Sequence, residues 1–192
     1  MQKQLAGIVQ SLESAQSQLR RLSDKLPESD WNKRPAPNRW SAAECVEHLN
    51  LTSRAYLPLL RDAVALAREV RRAPKKHYRR DALGWFMSNM MRPLHHLGKF
   101  TVGRVKTTPA FVPKAGRSRT EILSDFVRLQ GELISLIQSA DGLAIDEVKI
   151  VSPFGGRMRY SAYSALEIVS RHEHRHLEQA EEAAHQPIRA QR

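Results

Sequence analysis

The chain has 192 residues, a length that suits one hydrophobic core and is short for two. Its hydrophobic content is 41%, and no apolar run approaches the roughly 18 residues that a membrane span needs. The first residues lack the layout of a secretory signal, and the single Cys45 cannot form an internal disulfide. These features predict one domain over residues 1–192, a cytoplasmic location and no association with a membrane.

The net charge of +11 suggests a nucleic acid or an anionic surface as partner, but the charge is unevenly distributed. Residues 68–119 contain 14 basic and two acidic residues, a balance of +12, while the remainder is close to neutral. No DNA- or RNA-binding motif accompanies this basic segment. We therefore expect a solvated basic face or a site for an anionic small molecule, and no specific nucleic-acid partner.

The first predicted helix has apolar residues three or four positions apart, as one buried helix face requires. Pro27 follows this stripe and predicts its end. Residues 30–38, with two prolines, are predicted to form a connector. The stripe consists of Leu5, Ile8, Leu12, Ala15, Leu19, Leu22 and Leu26.

The second helix is predicted to begin at a capping box, in which Ser41 and Glu44 bond to the first turn. It should extend from about Ser41 to about Ala73, with a kink at Pro58, where one backbone donor is missing. Its predicted buried stripe consists of Cys45, Leu49, Tyr56, Leu59, Ala63, Leu66 and Val70.

Residues 74–117 are predicted to form a long basic crossover, with at most a short helix near Leu83–Met91. A second capping box, Ser118 to Glu121, begins the third long helix. Val148–Tyr160 is predicted to be a loop with a turn or an extended pair, and the last helix should extend from about Ser161 to about Ala184. Four helices, one long crossover and little sign of alternating strands predict an all-α four-helix bundle.

The last helix carries His172 and His176, which lie four residues apart and so project from one face about one turn apart. His174 lies roughly 200° around the helix axis from His172. The face of His172 also carries small and apolar residues, which indicates that it turns inward. His48 lies on the inward side of the second helix. Spacing alone leaves a polar surface pair and a hydrogen-bonded core histidine as alternatives to a metal site.

Two segments resemble signatures of the DinB-like superfamily. The first is the string WNKRPAPNRWSAAECVEHLN, where a Trp-Ser start, Trp40-Ser41, leads to His48-Leu49. The second is RHEHRHLEQ, a His-x-x-x-His pair followed by Gln179. The segments match near both ends of the chain, whereas the crossover and third helix match only in length and pattern.

The resemblance implies a DinB-like four-helix bundle that holds one divalent metal ion through His48, His172 and His176. It also implies frequent homodimers. Members range from thiol-dependent transferases and hydrolases to proteins without an assigned activity. Three imidazoles suit Zn or Ni and leave a position for water or substrate. The expected partner is a small-molecule substrate, such as a low-molecular-weight thiol.

Three functional hypotheses follow: a metal-dependent transferase or hydrolase, a metal-stabilised scaffold without turnover, and a non-specific nucleic-acid binder. Glu44, Glu47 and Glu173 are the nearby carboxylates that hydrolysis would need as a base. Glu44 is better explained by its capping box, and Glu173 is expected to be a solvated or supporting group. The remaining candidates have structural interpretations: Cys45 in the core, Trp31 and Trp40 at the bundle end, and His77, His95, His96 and His185 on the surface.

Overall fold

A computed structural model of the chain describes residues 1–70, 72–91, 107–114, 116–155 and 157–185, and the backbone of 96–97 and 100–101. The described part is mostly helical, which confirms the all-α prediction. Its helices are α1 (Lys3–Lys25), α2 (Glu28–Trp31), α3 (Ala42–Glu69), α4 (Ala82–Met90), a 3-10 helix (Pro109–Phe111), α5 (Arg119–Ser139) and α6 (Ala162–His185). Two antiparallel pairs join β1 (His96–Leu97) to β2 (Phe100–Thr101) and β3 (Lys149–Val151) to β4 (Arg159–Ser161).

Contacts between α3 and α5 show that these two helices are parallel. Arg54 bonds to Asp125, Arg61 to Glu132 and Arg68 to the Ser139 carbonyl, and each pair is 71 residues apart. A constant offset along both helices requires the same chain direction. The long crossover is therefore needed to return the chain to the end at which α3 began.

Helices α1 and α6 form a second parallel pair, opposite in direction to α3 and α5. Gln4 bonds to Tyr163 and Ser170 bonds to Ser11, and both pairs are 159 residues apart. Arg119, at the start of α5, bonds to the Leu26 carbonyl just after the end of α1, so α1 and α5 are antiparallel. The four long helices therefore have the directions up, down, down and up.

Both predicted capping boxes are present. The Ser41 hydroxyl accepts from the Glu44 amide, and the Glu44 carboxylate accepts from the Ser41 amide. Ser118 and Glu121 make the same reciprocal bonds at the start of α5. A cap of this kind contributes about 1 kcal/mol, because the first turn of a helix otherwise leaves its amides without partners.

The predicted core stripe of α1 is buried throughout, but that of α3 is wrong in its second half. Leu66 and Val70 are 49% and 44% exposed, whereas Leu60 and Ala67 are buried. At 100° per residue, Leu66 lies about 60° to one side of the line through Cys45, and Leu60 about 60° to the other. Helix α3 continues through Pro58 and buries the side that faces α5 and α6.

One departure from the predicted elements is small, and the extended pair predicted as an alternative is present. The connector contains the short helix α2, which carries the buried Trp31. The predicted loop Val148–Tyr160 contains an extended pair, in which Ile150 and Tyr160 are buried against the bundle. With three residues, each strand is too short to display an alternating pattern.

Many cations of the basic segment pair with carboxylates of the bundle. Arg80 forms a two-pronged contact with Glu167 of α6. The other described ion pairs of this kind are Arg72–Glu147, Lys75–Asp146, Lys75–Glu147, Arg117–Glu47, Arg117–Asp125 and Arg119–Glu28. Among the described residues, no helix is both long and apolar enough to span a membrane.

Candidate metal centre

Helix α6 places two histidines on its inward face. His172 is 4% exposed and His176 is half-buried, one turn further along. Between them, His174 turns toward α1, where its ring nitrogen Nε2 lies 3.0 Å from the Ser11 hydroxyl and 3.0 Å from the Ser11 carbonyl. The predicted separation of His174 from the other two is therefore confirmed.

Helix α3 supplies His48, which is 2% exposed. Its Nδ1 lies 2.7 Å from the Phe111 carbonyl, which can only accept, so Nδ1 carries the proton. The other nitrogen, Nε2, therefore presents a lone pair, and it lies 3.2 Å from Nε2 of His172. A main-chain carbonyl that fixes the ring in this way is the usual support of a metal-binding histidine.

The three histidines lie close together. One ring nitrogen from each of His48, His172 and His176 lies within 4.8 Å of the others. Burial lowers the pKa of His48 to about 4, and the Phe111 carbonyl opposes this only in part. Burial, together with repulsion between the rings, places the pKa values of His172 and His176 well below the ordinary range. All three rings are therefore neutral near pH 7, the state that binds a metal ion.

Two ring nitrogens in this cluster are buried without partners. Among the described residues, Nδ1 of His172 and Nδ1 of His176 have no hydrogen bond. In His172 this nitrogen lies on the other side of the ring from Nε2, which faces His48. The donor set of three neutral imidazoles fits a first-row divalent ion.

A family model of the DinB superfamily matches residues 11–180, which include all three histidines. The chain belongs to the DinB superfamily. Comparison with curated proteins and with solved structures finds no match. The fold and the three-histidine group therefore agree with the family, and the substrate has to be argued from the site.

In this DinB-superfamily chain, aromatic rings surround the histidines. The Trp40 ring centre lies 4.9 Å from that of His48 and 5.9 Å from that of His176. Phe154, at the end of the β3–β4 hairpin, lies 5.6 Å from His172 and 4.9 Å from Phe111. These rings place apolar surface beside all three histidines.

The aromatic neighbours were not predicted from the sequence. Trp40 was expected to close the bundle end, yet its ring lies against those of His48 and His176. Phe111 and Phe154 lie in irregular segments, where no periodicity indicates which side chain turns inward. For Phe154, the neighbouring Pro153 and Gly155 signal only a turn.

No carboxylate joins the cluster among the described residues. Glu44 accepts hydrogen bonds from Ser41 and Arg34, as its capping role predicts. Glu47 accepts from Arg117 and Asn50. Neither of these carboxylates is free to act as a base toward the histidine site.

Of the two expectations for Glu173, a solvated or a supporting group, the first is wrong. Glu173 is 1% exposed, and burial raises its pKa to about 8, although Gln130 beside it opposes the change. Neither carboxyl oxygen has a well-oriented hydrogen bond within the described part of the chain. The position next to His172 in the sequence gave no sign of this burial, because residue 173 projects from a different face of α6.

The remaining candidates have structural positions. Cys45 is fully buried, which raises the pKa of its thiol and makes it unreactive. Trp31 is buried at the bundle end with Arg119 over its ring. His77 and His185 are exposed, as predicted. His95 and the side chain of His96 lie outside the described residues.

Proposed function

We propose that this chain is a metal-dependent enzyme that binds one divalent ion through His48, His172 and His176 and catalyses thiol-dependent group transfer. The convergence of three buried, neutral imidazoles carries this proposal. Three protein ligands leave at least one position for water or substrate, which is typical of catalytic sites. Imidazole ligands suit Zn or Ni best among the common ions.

The surroundings favour thiol transfer over hydrolysis. A bound ion would supply the positive charge that keeps a thiol deprotonated near neutral pH. The chain would then orient the ligands, through the Phe111 carbonyl on His48, and exclude water with Trp40 and Phe154. Hydrolysis would also need a general base, and no described carboxylate lies within the cluster.

A metal-stabilised scaffold without turnover is the second candidate. Its support is that His48 and His172 are 124 residues apart in sequence and come from α3 and α6. An ion held by both would link two helices and stabilise the fold whether or not it takes part in a reaction.

A cytoplasmic location and a homodimer also belong to the proposal. Sedimentation of the purified chain measures whether it is a homodimer.

The test of the metal site is a pair of substitutions on α6. His176→Ala removes a ligand, so metal affinity should fall by at least about a hundredfold. His174→Ala is the matched control, because this histidine bonds to α1 and lies outside the cluster. After dialysis, elemental analysis should find about one metal ion per chain in the parent protein and in His174→Ala. It should find far less in His176→Ala. Stoichiometric metal in His176→Ala would contradict the site.

Metal should also raise the melting temperature. At a free concentration of about 100 times the Kd, binding to the folded chain adds about 2.7 kcal/mol, or roughly 5 to 10 °C for a chain of this size. The shift should be absent in His176→Ala.

Activity assays of the metal-loaded protein then separate the three functions. A transferase should react with thiol acceptors and a hydrolase with esters or amides, whereas a scaffold should be inactive toward all of them.

A further inference from the structure

Among the aromatic rings that lie against the histidine cluster, Phe154 is the one carried by a hairpin turn. Its ring centre lies 5.6 Å from that of His172 and 5.7 Å from that of Tyr56. Phe111 completes these surroundings, 4.9 Å from Phe154 and 6.4 Å from His48. The Phe154 ring therefore fills the space between a histidine of the cluster and two other aromatic rings.

Phe154 also reaches the surface of the protein. Its side chain is half-buried, whereas its neighbours Phe111, Tyr56 and His172 are buried. A half-buried ring in contact with a buried histidine lies at the boundary between the histidine cluster and solvent. A group that binds beside His172 would therefore have to share this space with the Phe154 ring.

Three buried hydroxyl groups are bonded to one another and to the backbone of this turn. The hydroxyls of Tyr56 and Tyr160 bond to each other, and the Ser152 hydroxyl is a hydrogen-bond partner of both. The same serine oxygen accepts from the main-chain amide of Phe154. The Ser152 amide donates to the Met158 carbonyl, which closes the turn. We call Tyr56, Tyr160 and Ser152 the hydroxyl cluster.

The hydroxyl cluster fixes the backbone that carries Phe154. Tyr56 and Tyr160 are fully buried and Ser152 is 4% exposed, so water cannot replace the bonds between them. A buried hydroxyl that loses its partner is costly, so the turn resists displacement. Removal of the Phe154 ring should therefore leave a void and not a collapsed turn.

We propose that Phe154 is a specificity-determining residue of this metal centre. Its ring limits the size of the group attached to the sulfur of a bound thiol, and the hydroxyl cluster holds the ring in that position. The inference rests on the proposed function and adds a limit on the substrate. In Phe154→Ala the void would be lined by Phe111, Tyr56 and His172, and a largely apolar cavity of this kind can accept an aromatic ring.

Two neutral thiols that differ by one phenyl ring test the proposal on the cobalt-loaded protein. The probes are ethanethiol and 2-phenylethanethiol, and thiolate-to-cobalt absorption reports their binding. The measured quantity is the ratio of the two dissociation constants. Comparing this ratio between variants cancels the general preference of a protein for the more apolar thiol.

Phe154→Ala should shift the ratio toward phenylethanethiol by about tenfold, the discrimination that a small change of shape gives in an apolar pocket. Phe154→Leu, which keeps an apolar side chain, should shift it in the same direction by less. Val151→Ala is the matched control, because Val151 lies in the same hairpin and is 45% exposed. This control should leave the ratio unchanged.

Tyr160→Phe tests the hydroxyl cluster separately, because it removes one hydroxyl and keeps the buried ring. The ratio should again move toward phenylethanethiol, by less than in Phe154→Ala. If Tyr160→Phe lowers the melting temperature but leaves the ratio unchanged, the hydroxyl cluster stabilises the fold without positioning Phe154, and that part of the inference is wrong.

The remaining failures are distinguishable. The same ratio in the parent protein, Phe154→Ala and Phe154→Leu would show that the ring does not limit the size of the thiol. A shift toward ethanethiol in Phe154→Ala would show that Phe154 binds the phenyl group and does not exclude it. Either result overturns the inference and leaves the proposed function in place. If no cobalt spectrum forms, or if neither thiol changes it, the proposed function fails and this inference fails with it.

Discussion

At the scale of single residues, the sequence indicated the three clustered histidines better than it indicated their surroundings. His172 and His176 follow from helical spacing, because four residues bring two side chains to one face. His48 required the resemblance, since no spacing rule connects positions 124 residues apart. Its support from the Phe111 carbonyl was beyond prediction, because a main-chain acceptor in an irregular segment leaves no trace in residue type.

Asp125 provides a prediction at this scale. Burial alone would raise its pKa, but hydrogen bonds from Arg117, Arg54 and Arg128 outweigh burial and lower the pKa from 3.8 to about 2. A folded-state pKa below the unfolded value stabilises the fold above about pH 4, and this stability is lost as pH falls toward 2.

Asp125→Asn should therefore unfold at lower urea concentration than the parent chain at pH 7, and the difference should shrink between pH 4 and pH 2. Asp24→Asn, with no described ion pair, is the control and should match the parent throughout. A difference that is constant from pH 7 to pH 2 would show that the carboxylate charge is not what stabilises this contact.

At the scale of the helices, two glycines have opposite roles that the sequence does not reveal. A Cβ added to Gly84 of α4 would lie 2.2 Å from the Ser164 hydroxyl and 2.3 Å from its Cβ. Ser164 is fully buried in α6 and bonds to Asp81, so it has no room to move. A Cβ at Gly131 of α5 would meet nothing within 4 Å.

We predict that Gly84→Ala lowers the free energy of unfolding by about 1 to 3 kcal/mol, because overpacking outweighs the higher helix propensity of alanine. Gly131→Ala should raise it by about 0.5 to 1 kcal/mol, since only propensity changes there. Urea unfolding measures both. The Gly84→Ala variant with Ser164→Gly should recover part of the loss, and equal stabilisation by both alanines would contradict the close approach of α4 to α6.

Helix ends were predicted more accurately than helix faces. Capping boxes are local, so Ser41 and Ser118 indicate where α3 and α5 begin without knowledge of the neighbours. The buried face depends on which helices pack alongside. In α3 the partners α5 and α6 lie on the side of Leu60 and Ala67, so the predicted Leu66 and Val70 face solvent.

At the scale of the whole molecule, composition predicted one bundle and the long crossover, but not the helix directions. The parallel arrangement of α3 and α5 is visible only in the constant offset of their contacts. Other contacts change the meaning of the +12 balance. Arg80 and Arg117 hold the crossover to the bundle by pairing with Glu167, Glu47 and Asp125.

This pairing leads to the prediction that the chain is not a specific nucleic-acid reader. Cations already paired with carboxylates release few counterions from a polyanion, and the unpaired cations give only salt-sensitive attraction. Binding to DNA or RNA in a fluorescence anisotropy titration should be weak, collapse between about 50 and 200 mM salt, and show little sequence preference. Arg79→Ala, which removes a cation that has no ion pair with a described residue, should reduce the salt slope by no more than about one. Sequence-selective affinity that persists at physiological salt and disappears when Arg79 and Arg80 become alanine would instead establish the crossover as a nucleic-acid site.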